Sequence, residues 1–202
     1  LTAASCGHTE ARLKAMGKAY QKVYLHPGSH AGYYPGATAL HIKLLFGGDG
    51  KIYGGQVVGG EGADKRADVL AVTMRAGLDV RRLAEMELCY APPFSSAKDP
   101  ISVAGMIATN VLNGDSRIVQ ADALPEDALL LDVREPAEVA QGTLKGAVSI
   151  PLHQLRARAF ELPKDRLVVA YCQQGLRGYV AERILKQLGF NAANLSGGYL
   201  TW

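Results

Sequence analysis

The sequence predicts two units in tandem, one α+β and one α/β. The first spans residues 1–115 and the second, built on a parallel sheet, spans residues 116–202. Three observations predict this. After residue 116, short apolar runs alternate with helical patterns, the order that builds a parallel sheet. Before it, two strands are joined by Gly47-Gly48-Asp49-Gly50 as a hairpin, and helices follow in a block. Third, the apolar run Leu167-Val168-Val169-Ala170-Tyr171 ends in a glycine-containing loop that opens a helix, which places a loop at the carboxyl edge of the second sheet.

In the first unit a short helix is expected over Glu10 to Met16, followed by a strand over residues 18–26. Cys6 and His8 precede that helix in a loop, and their pairing reads as chance. Residues 26–36, rich in histidine, tyrosine, proline and glycine, form a loop on composition. Strands follow over Ala39 to Phe46, where His41 and Lys43 alternate with Leu40, Ile42 and Leu44, and over Ile52 to Gly59. A helix runs from Gly62 to Ala76 with Val69, Val72, Thr73 and Ala76 on one face, and Gly77 closes it. A second helix is expected over Val80 to Glu87. A stiff loop then runs from Cys89 to Pro100, and a last helix covers Val103 to Leu112. Residues 113–121 are a linker or a first strand, with Ile118-Val119 beginning the second unit. There strands are expected at Leu129 to Val133, Val148 to Ile150, Leu167 to Tyr171 and Ala193 to Leu195. Helices are expected at Ala137 to Gln141, Leu152 to Ala159 and Gly178 to Leu188, the last carrying Val180, Ile184, Leu185 and Leu188 at helical spacing.

The chain has 202 residues, a net charge of +3 and three cysteines. So small a charge gives no reason to invoke nucleic acid or an anionic membrane surface. No apolar run reaches membrane-spanning length, and no signal-peptide pattern opens the sequence. Cys6, Cys89 and Cys172 are odd in number and widely spaced, unlike a disulfide framework or a metal site, and a reducing cytoplasm is the expected location.

Cys172 carries the chemistry. It stands where a strand ends and a helix begins, and Gly175 and Gly178 let the loop turn its N–H groups inward. Such a nest, with a helix N-terminus behind it and Arg177 beside it, stabilises a thiolate. Gln173, Gln174, Gly175, Leu176 and Arg177 are the expected substrate-binding loop. A packing role for a buried cysteine is the bland alternative.

Tyr171-Cys172-Gln173-Gln174-Gly175-Leu176-Arg177-Gly178 resembles the active-site loop of the rhodanese sulfurtransferases. Leu131-Asp132-Val133-Arg134-Glu135-Pro136, Gly142-Thr143-Leu144-Lys145-Gly146-Ala147 and Ser196-Gly197-Gly198-Tyr199 resemble that family's other segments in order. Thr143 stands where a histidine is usual, and Gly178 where serine or threonine is common. A cysteine-phosphatase loop is one residue longer, and the shorter cradle suits a sulfur atom better than a phosphoryl group. The resemblance implies a Cys172 persulfide, loaded from CoA persulfide, polysulfide or thiosulfate. Asp132, Arg134 and Glu138 are expected as structural residues that tie the loop, with a catalytic part for Asp132 as the alternative; His153 is expected as a surface or capping residue, and Arg156 and Arg158 as exposed helix charges, with a rim for an anionic donor as the alternative. A non-catalytic binding and dimerisation module is the competing function.

The first unit is similar to the dimerisation domain of flavin-dependent pyridine nucleotide–disulfide oxidoreductases, in particular CoA-disulfide reductases. The similarity rests on His30-Ala31-Gly32-Tyr33-Tyr34-Pro35-Gly36, on Gly62 to Val69, and on Tyr90-Ala91-Pro92-Pro93 through Lys98-Asp99-Pro100. It implies a homodimer through this unit. It also implies catalytic roles for Tyr33 (or Tyr34, by one position) and Tyr90 in the partner's active site. It implies FAD and NAD(P)H, with CoA, for full-length relatives, in domains before this point. Here Gly47–Gly50 and Gly59–Gly62 lack the dinucleotide fingerprint, so no cofactor is expected on this chain, and no metal. The chain is expected to be a fragment of a longer protein or a remnant domain pair. Lys65 and Arg66 are expected as exposed helix charges, and Cys89 as a packing residue.

Overall fold

The computed structural model describes residues 1–202, and the chain divides into two compact units, Leu1–Asn113 and Gly114–Trp202. The strands of the first unit are β1 (Thr2–Gly7), β2 (Gln21–Leu25), β3 (Leu40–Phe46) and β4 (Ile52–Gly59). Its helices are α1 (Glu10–Ala15), α2 (Ala63–Arg75), α3 (Val80–Ala84) and α4 (Pro100–Leu112). The strands form an antiparallel sheet in the order β1-β4-β3-β2. Alternation on β3 sets its two faces. Leu40, Ile42 and Leu44 are buried, while His41 is exposed and Lys43 half-buried. Each such leucine or isoleucine contributes about 2 kcal/mol by leaving water.

Several expectations are corrected here. The segment holding Cys6 is an edge strand, not a loop: Thr2 to Gly7 pair with Gly59 to Gly54 of β4, and the Cys6 sulfur lies 4.0 Å from that of Met74. Helix α2 buries Ala63, Arg66, Ala67, Leu70 and Thr73, whereas Val72 is exposed. Arg66 is only 1% exposed, so it is no surface charge. Its Nη2 donates to Asp99 Oδ2 at 2.9 Å and to the Ser29 carbonyl at 3.0 Å. Helix α4 starts at Pro100, not Val103. The Asp99 carboxylate accepts from the Ile101 N–H at 3.0 Å, and proline at the first helical position has no N–H to leave unpaired.

The second unit is a five-stranded parallel sheet. Its strands are β5 (Ile118–Val119), β6 (Leu129–Asp132), β7 (Val148–Ser149), β8 (Val168–Tyr171) and β9 (Ala192–Leu195), in the order β5-β9-β8-β6-β7. Helices α5 (Pro136–Val139), α6 (Leu155–Arg158) and α7 (Leu176–Gln187) connect them, with single 3-10 turns at 121–123, 152–154, 159–161 and 198–200. Strand β8 is buried along its whole length, as expected for a central parallel strand. Val168 and Ala170 pack with Leu131, Ala181 and Leu185 on one side. Val169 and Tyr171 pack with Leu144, Leu195 and Tyr199 on the other. Helix α7 begins at Leu176, two residues before the expected start. It buries Gly178, Ala181, Glu182 and Leu185, while Val180 is 37% exposed and Leu188 36% exposed. The Glu182 carboxylate accepts from the Ser116 hydroxyl at 2.5 Å and the Arg117 N–H at 2.6 Å, which ties the start of β5 to α7.

Candidate functional site

Parallel sheets leave a crevice beyond the carboxyl ends of their strands. Two groups of residues meet there, one following β6 and one following β8. Cys172 follows β8 directly and is 2% exposed, so its sulfur lies at the floor of the loop. The Gly175 N–H donates to Cys172 Sγ at 3.2 Å. Gly175 caps α7 at φ +107°, a conformation open to glycine, and this turns its N–H toward the sulfur. The positive end of the twelve-residue α7 stands behind the same atom.

The closing segment braces the loop backbone against backbone. The Tyr199 N–H donates to the Cys172 carbonyl at 2.8 Å, and the Leu200 N–H to the Gln173 carbonyl at 3.1 Å. Gly198, at φ +64°, passes so close that a Cβ there would strike the Cys172 carbonyl oxygen. Gly178 has a comparable reason: a Cβ would strike Asn194 Oδ1, which occupies the space that a serine or threonine side chain would need.

The Asp132–Arg134 pair anchors the loop from the side. Arg134 Nη2 meets Asp132 Oδ2 at 2.7 Å, and the two side chains are 2% and 0% exposed. Arg134 also donates to Gln173 Oε1 at 3.0 Å and to the Gly142 carbonyl at 2.7 Å, while the Tyr199 ring lies 4.2 Å beneath its guanidinium. Burial alone would raise the Asp132 carboxyl. The Arg134 guanidinium and the Arg134 backbone N–H outweigh burial and hold it below the usual carboxylate range. Thr143 Oγ1 donates to Asp132 Oδ2 at 3.0 Å and lies 2.8 Å from the Tyr171 hydroxyl. Thr143 therefore belongs to this network, a part that no local signal around it points to.

Arg177 stands beside that network, and Glu138 ties the loop through it. They pair with each other, Nη1 to Oε2 at 2.7 Å and Nη2 to Oε1 at 2.6 Å. The Glu135 N–H holds the same carboxylate at 3.0 Å. The bidentate guanidinium draws Glu138 down to about 2, and Glu138 in turn raises Arg177. Of the remaining loop residues, Gln173 spends its amide oxygen on Arg134, Gln174 is exposed, and Leu176 is 73% exposed. His153 is exposed beside Glu135 at 3.3 Å. Arg156 pairs with Gln187, and Arg158 with Glu161. A hollow of about 550 Å3, lined by Leu124, Lys145, Arg166 and Trp202 among others, opens at the amino ends of β6 and β8, away from Cys172.

In the first unit the Tyr33 and Tyr90 hydroxyls lie 2.8 Å apart, both on exposed side chains. Tyr34 instead sets its ring edge-on to His30, with centroids 5.9 Å apart. The Tyr33 hydroxyl pushes the Tyr90 phenol up. Cys89 is exposed, against the expectation of a packing role. Gly47–Gly50 joins two antiparallel strands, and the space over Gly62 at the start of α2 is taken by the Arg66 guanidinium, which donates to the Gly62 carbonyl at 3.2 Å. No helix is long and apolar enough to cross a membrane, and no cluster of three or more His, Cys, Asp or Glu side chains is arranged to hold a metal.

Residues 118–202 match the rhodanese-like domain, and residues 1–100 match the pyridine nucleotide-disulphide oxidoreductase dimerisation domain. A sulfurtransferase of Allochromatium vinosum is 47% identical over 78 residues, which are 38% of this chain and 73% of that protein. A coenzyme A disulfide reductase of Staphylococcus haemolyticus is 41% identical over 93 residues, 46% of this chain and 21% of that protein. Reduced Bacillus anthracis CoADR-RHD superposes with a TM-score of 0.94 at 46% identity, covering 98% of this chain and 36% of that one. A NAD-dependent persulfide reductase from A. fulgidus superposes at 0.89 with 36% identity, covering 99% and 37%. The chain thus spans little more than a third of these two solved relatives.

Proposed function

The chain belongs to the rhodanese-like family through its second domain and carries the pyridine nucleotide-disulphide oxidoreductase dimerisation domain in its first, and from this we propose that it transfers sulfane sulfur through a persulfide on Cys172. The observation that carries the reading is the Gly175 N–H on the Cys172 sulfur at the start of α7. Attack on a donor forms an S–S bond at Cys172 and releases the donor's remaining part as an anion. The outer sulfur of the product bears negative charge, and in this reading the loop backbone with the helix end stabilises it. The Arg134–Gln173 and Tyr199–Cys172 hydrogen bonds hold the cradle open at its working size. The sulfur then passes to an acceptor thiol by the reverse displacement.

In this reading the first domain forms a homodimer, and Tyr33 with Tyr90 faces the disulfide or persulfide site of a partner subunit. There one phenol donates to a leaving thiolate while the other orients it. The sulfur-transfer step proposed for Cys172 needs neither FAD nor NAD(P)H. The near-complete burial of Cys172 favours a second reading, a rhodanese-like module that binds without turnover.

Cyanolysis separates the two. The chain is loaded with a persulfide donor, freed of excess donor, and treated with cyanide, which takes up sulfane sulfur as thiocyanate. The sulfurtransferase reading expects close to one sulfur per chain, lost in Cys172→Ala with the fold unchanged. Equal release from Cys172→Ala and the parent chain supports the binding module instead.

A further inference from the structure

We propose that the first unit binds a phosphoryl group, carried by free phosphate or by an aromatic phosphate ester, in a hollow at the start of α2. The site lies within the first unit alone and takes no part in the sulfur transfer proposed above.

The hollow has a volume of about 170 Å3. Gly62, Lys65 and Arg66 line it from α2, and His30 and Phe94 from two loops. At ~30 Å3 per water the space equals about five waters, enough for one phosphorus and its four oxygens. Strand β4 ends at Gly59, Gly60-Glu61-Gly62 makes the turn, and α2 begins at Ala63. A strand, a glycine turn and a helix start in that order present backbone N–H groups to a phosphate. Gly62 caps the helix at φ +81° and has no side chain to accept from those N–H groups, which carry the positive end of thirteen residues.

Two cations add to this. Lys65 is half-buried in the first turn and forms no ion pair or hydrogen bond, so its charge has no counter-ion. Arg66 is 1% exposed, and its Nε has no hydrogen-bond partner although Nη1 and Nη2 are both engaged. A buried donor on a charged group is costly to leave unpaired, and an oxyanion in the hollow that Arg66 lines gives it an acceptor. Asp99 offsets the Arg66 charge from the other side, at 2.9 Å. Glu61 is the sole carboxylate on the lining and is exposed, where water and salt screen it. Phe94, 67% exposed, offers an aromatic face to an aryl ester.

The test titrates the intact chain with inorganic phosphate and with phenyl phosphate at constant ionic strength, read by NMR of the backbone amides and of the Arg66 Nε–H. Saturable shifts are expected at Ala63, Asp64, Lys65 and the Arg66 Nε–H. Lys65→Gln should weaken both ligands at least about fivefold, and Glu61→Gln should tighten them about two- to threefold, the size of one unit charge near the surface. Neither side chain belongs to a buried network, and the dispersion of the spectra checks that each variant is folded. Tighter binding of phenyl phosphate, with the gain lost in Phe94→Ala, assigns the site to an aromatic phosphate ester. Equal affinities assign it to free phosphate. Shifts that do not saturate with either ligand, or an affinity unchanged in folded Lys65→Gln, overturn the site.

Discussion

Replacing Arg134 by methionine removes the cation from a carboxylate that is 0% exposed. Five contacts go with it: three to Asp132, one to Gln173 Oε1 and one to the Gly142 carbonyl. Asp132 keeps the residue-134 backbone N–H at 3.1 Å and the Thr143 hydroxyl at 3.0 Å, but no counter-ion. Breaking a buried pair from one side costs about 3–5 kcal/mol, because the surviving charge stays desolvated. Removing both charges, in Asp132→Asn with Arg134→Met, should cost less than the sum of the two single changes, with a coupling of about 2–3 kcal/mol. Trp202 is the sole tryptophan and lies in the second unit, so urea unfolding followed by its fluorescence reports that unit. Loading of Cys172 should also fall below what the lost stability explains, since Gln173 loses its tether. An Arg134→Met cost under about 1 kcal/mol, or simple additivity in the double variant, would refute the assignment of this pair as the anchor of the loop.

Further outcomes follow from other contacts. Gly198→Ala should cost about 1–3 kcal/mol and impair sulfur loading although Cys172 is untouched, because the new Cβ meets the Cys172 carbonyl oxygen; unfolding midpoints and cyanolysis check both effects. Burial and the His41 ring, whose Nδ1 lies 2.8 Å away, lower His26 to about 4. The unfolded chain takes up that proton near pH ~6.5 and the folded chain only near 4, so the first unit loses stability as pH falls through this window and gains none above it. An NMR titration of the His26 ring with a midpoint near 6.5 would contradict this. Tyr33→Phe should lower the Tyr90 phenol, which ultraviolet titration of the tyrosines reads directly. Light scattering should show a dimer, and a monomer at every accessible concentration would remove the assembly role of the first domain.

The site was legible where its signals are local. The loop Cys172 to Arg177 lies between a fully apolar strand and a helical repeat, and strand, turn and helix formed where that pattern put them, with the helix starting two residues early. The structural role of Glu138 is legible, but its partner is not: Arg177 is 39 residues away and no periodicity joins them. Arg66 shows the same limit. Helical spacing marked an apolar face through Val69 and Val72, but the face turned inward carries an arginine satisfied by Asp99, 33 residues on. The first strand was missed because Thr2-Ala3-Ala4-Ser5-Cys6-Gly7 has no apolar alternation, and its pairing with β4 holds it in the sheet. The start of α4 is a different kind of miss. Asp99-Pro100 is a cap followed by a first-turn proline, a signal present in the sequence and read as loop.

The central claim is that Cys172 carries the sulfur. Intact mass spectrometry with peptide mapping, after incubation of the folded chain with an organic persulfide, tests it most directly. The account predicts one added sulfur, on the peptide containing Cys172 and on neither the Cys6 nor the Cys89 peptide, removed again by a thiol acceptor. Sulfur on the exposed Cys89 instead, or none on Cys172 while its thiol is free, would contradict it.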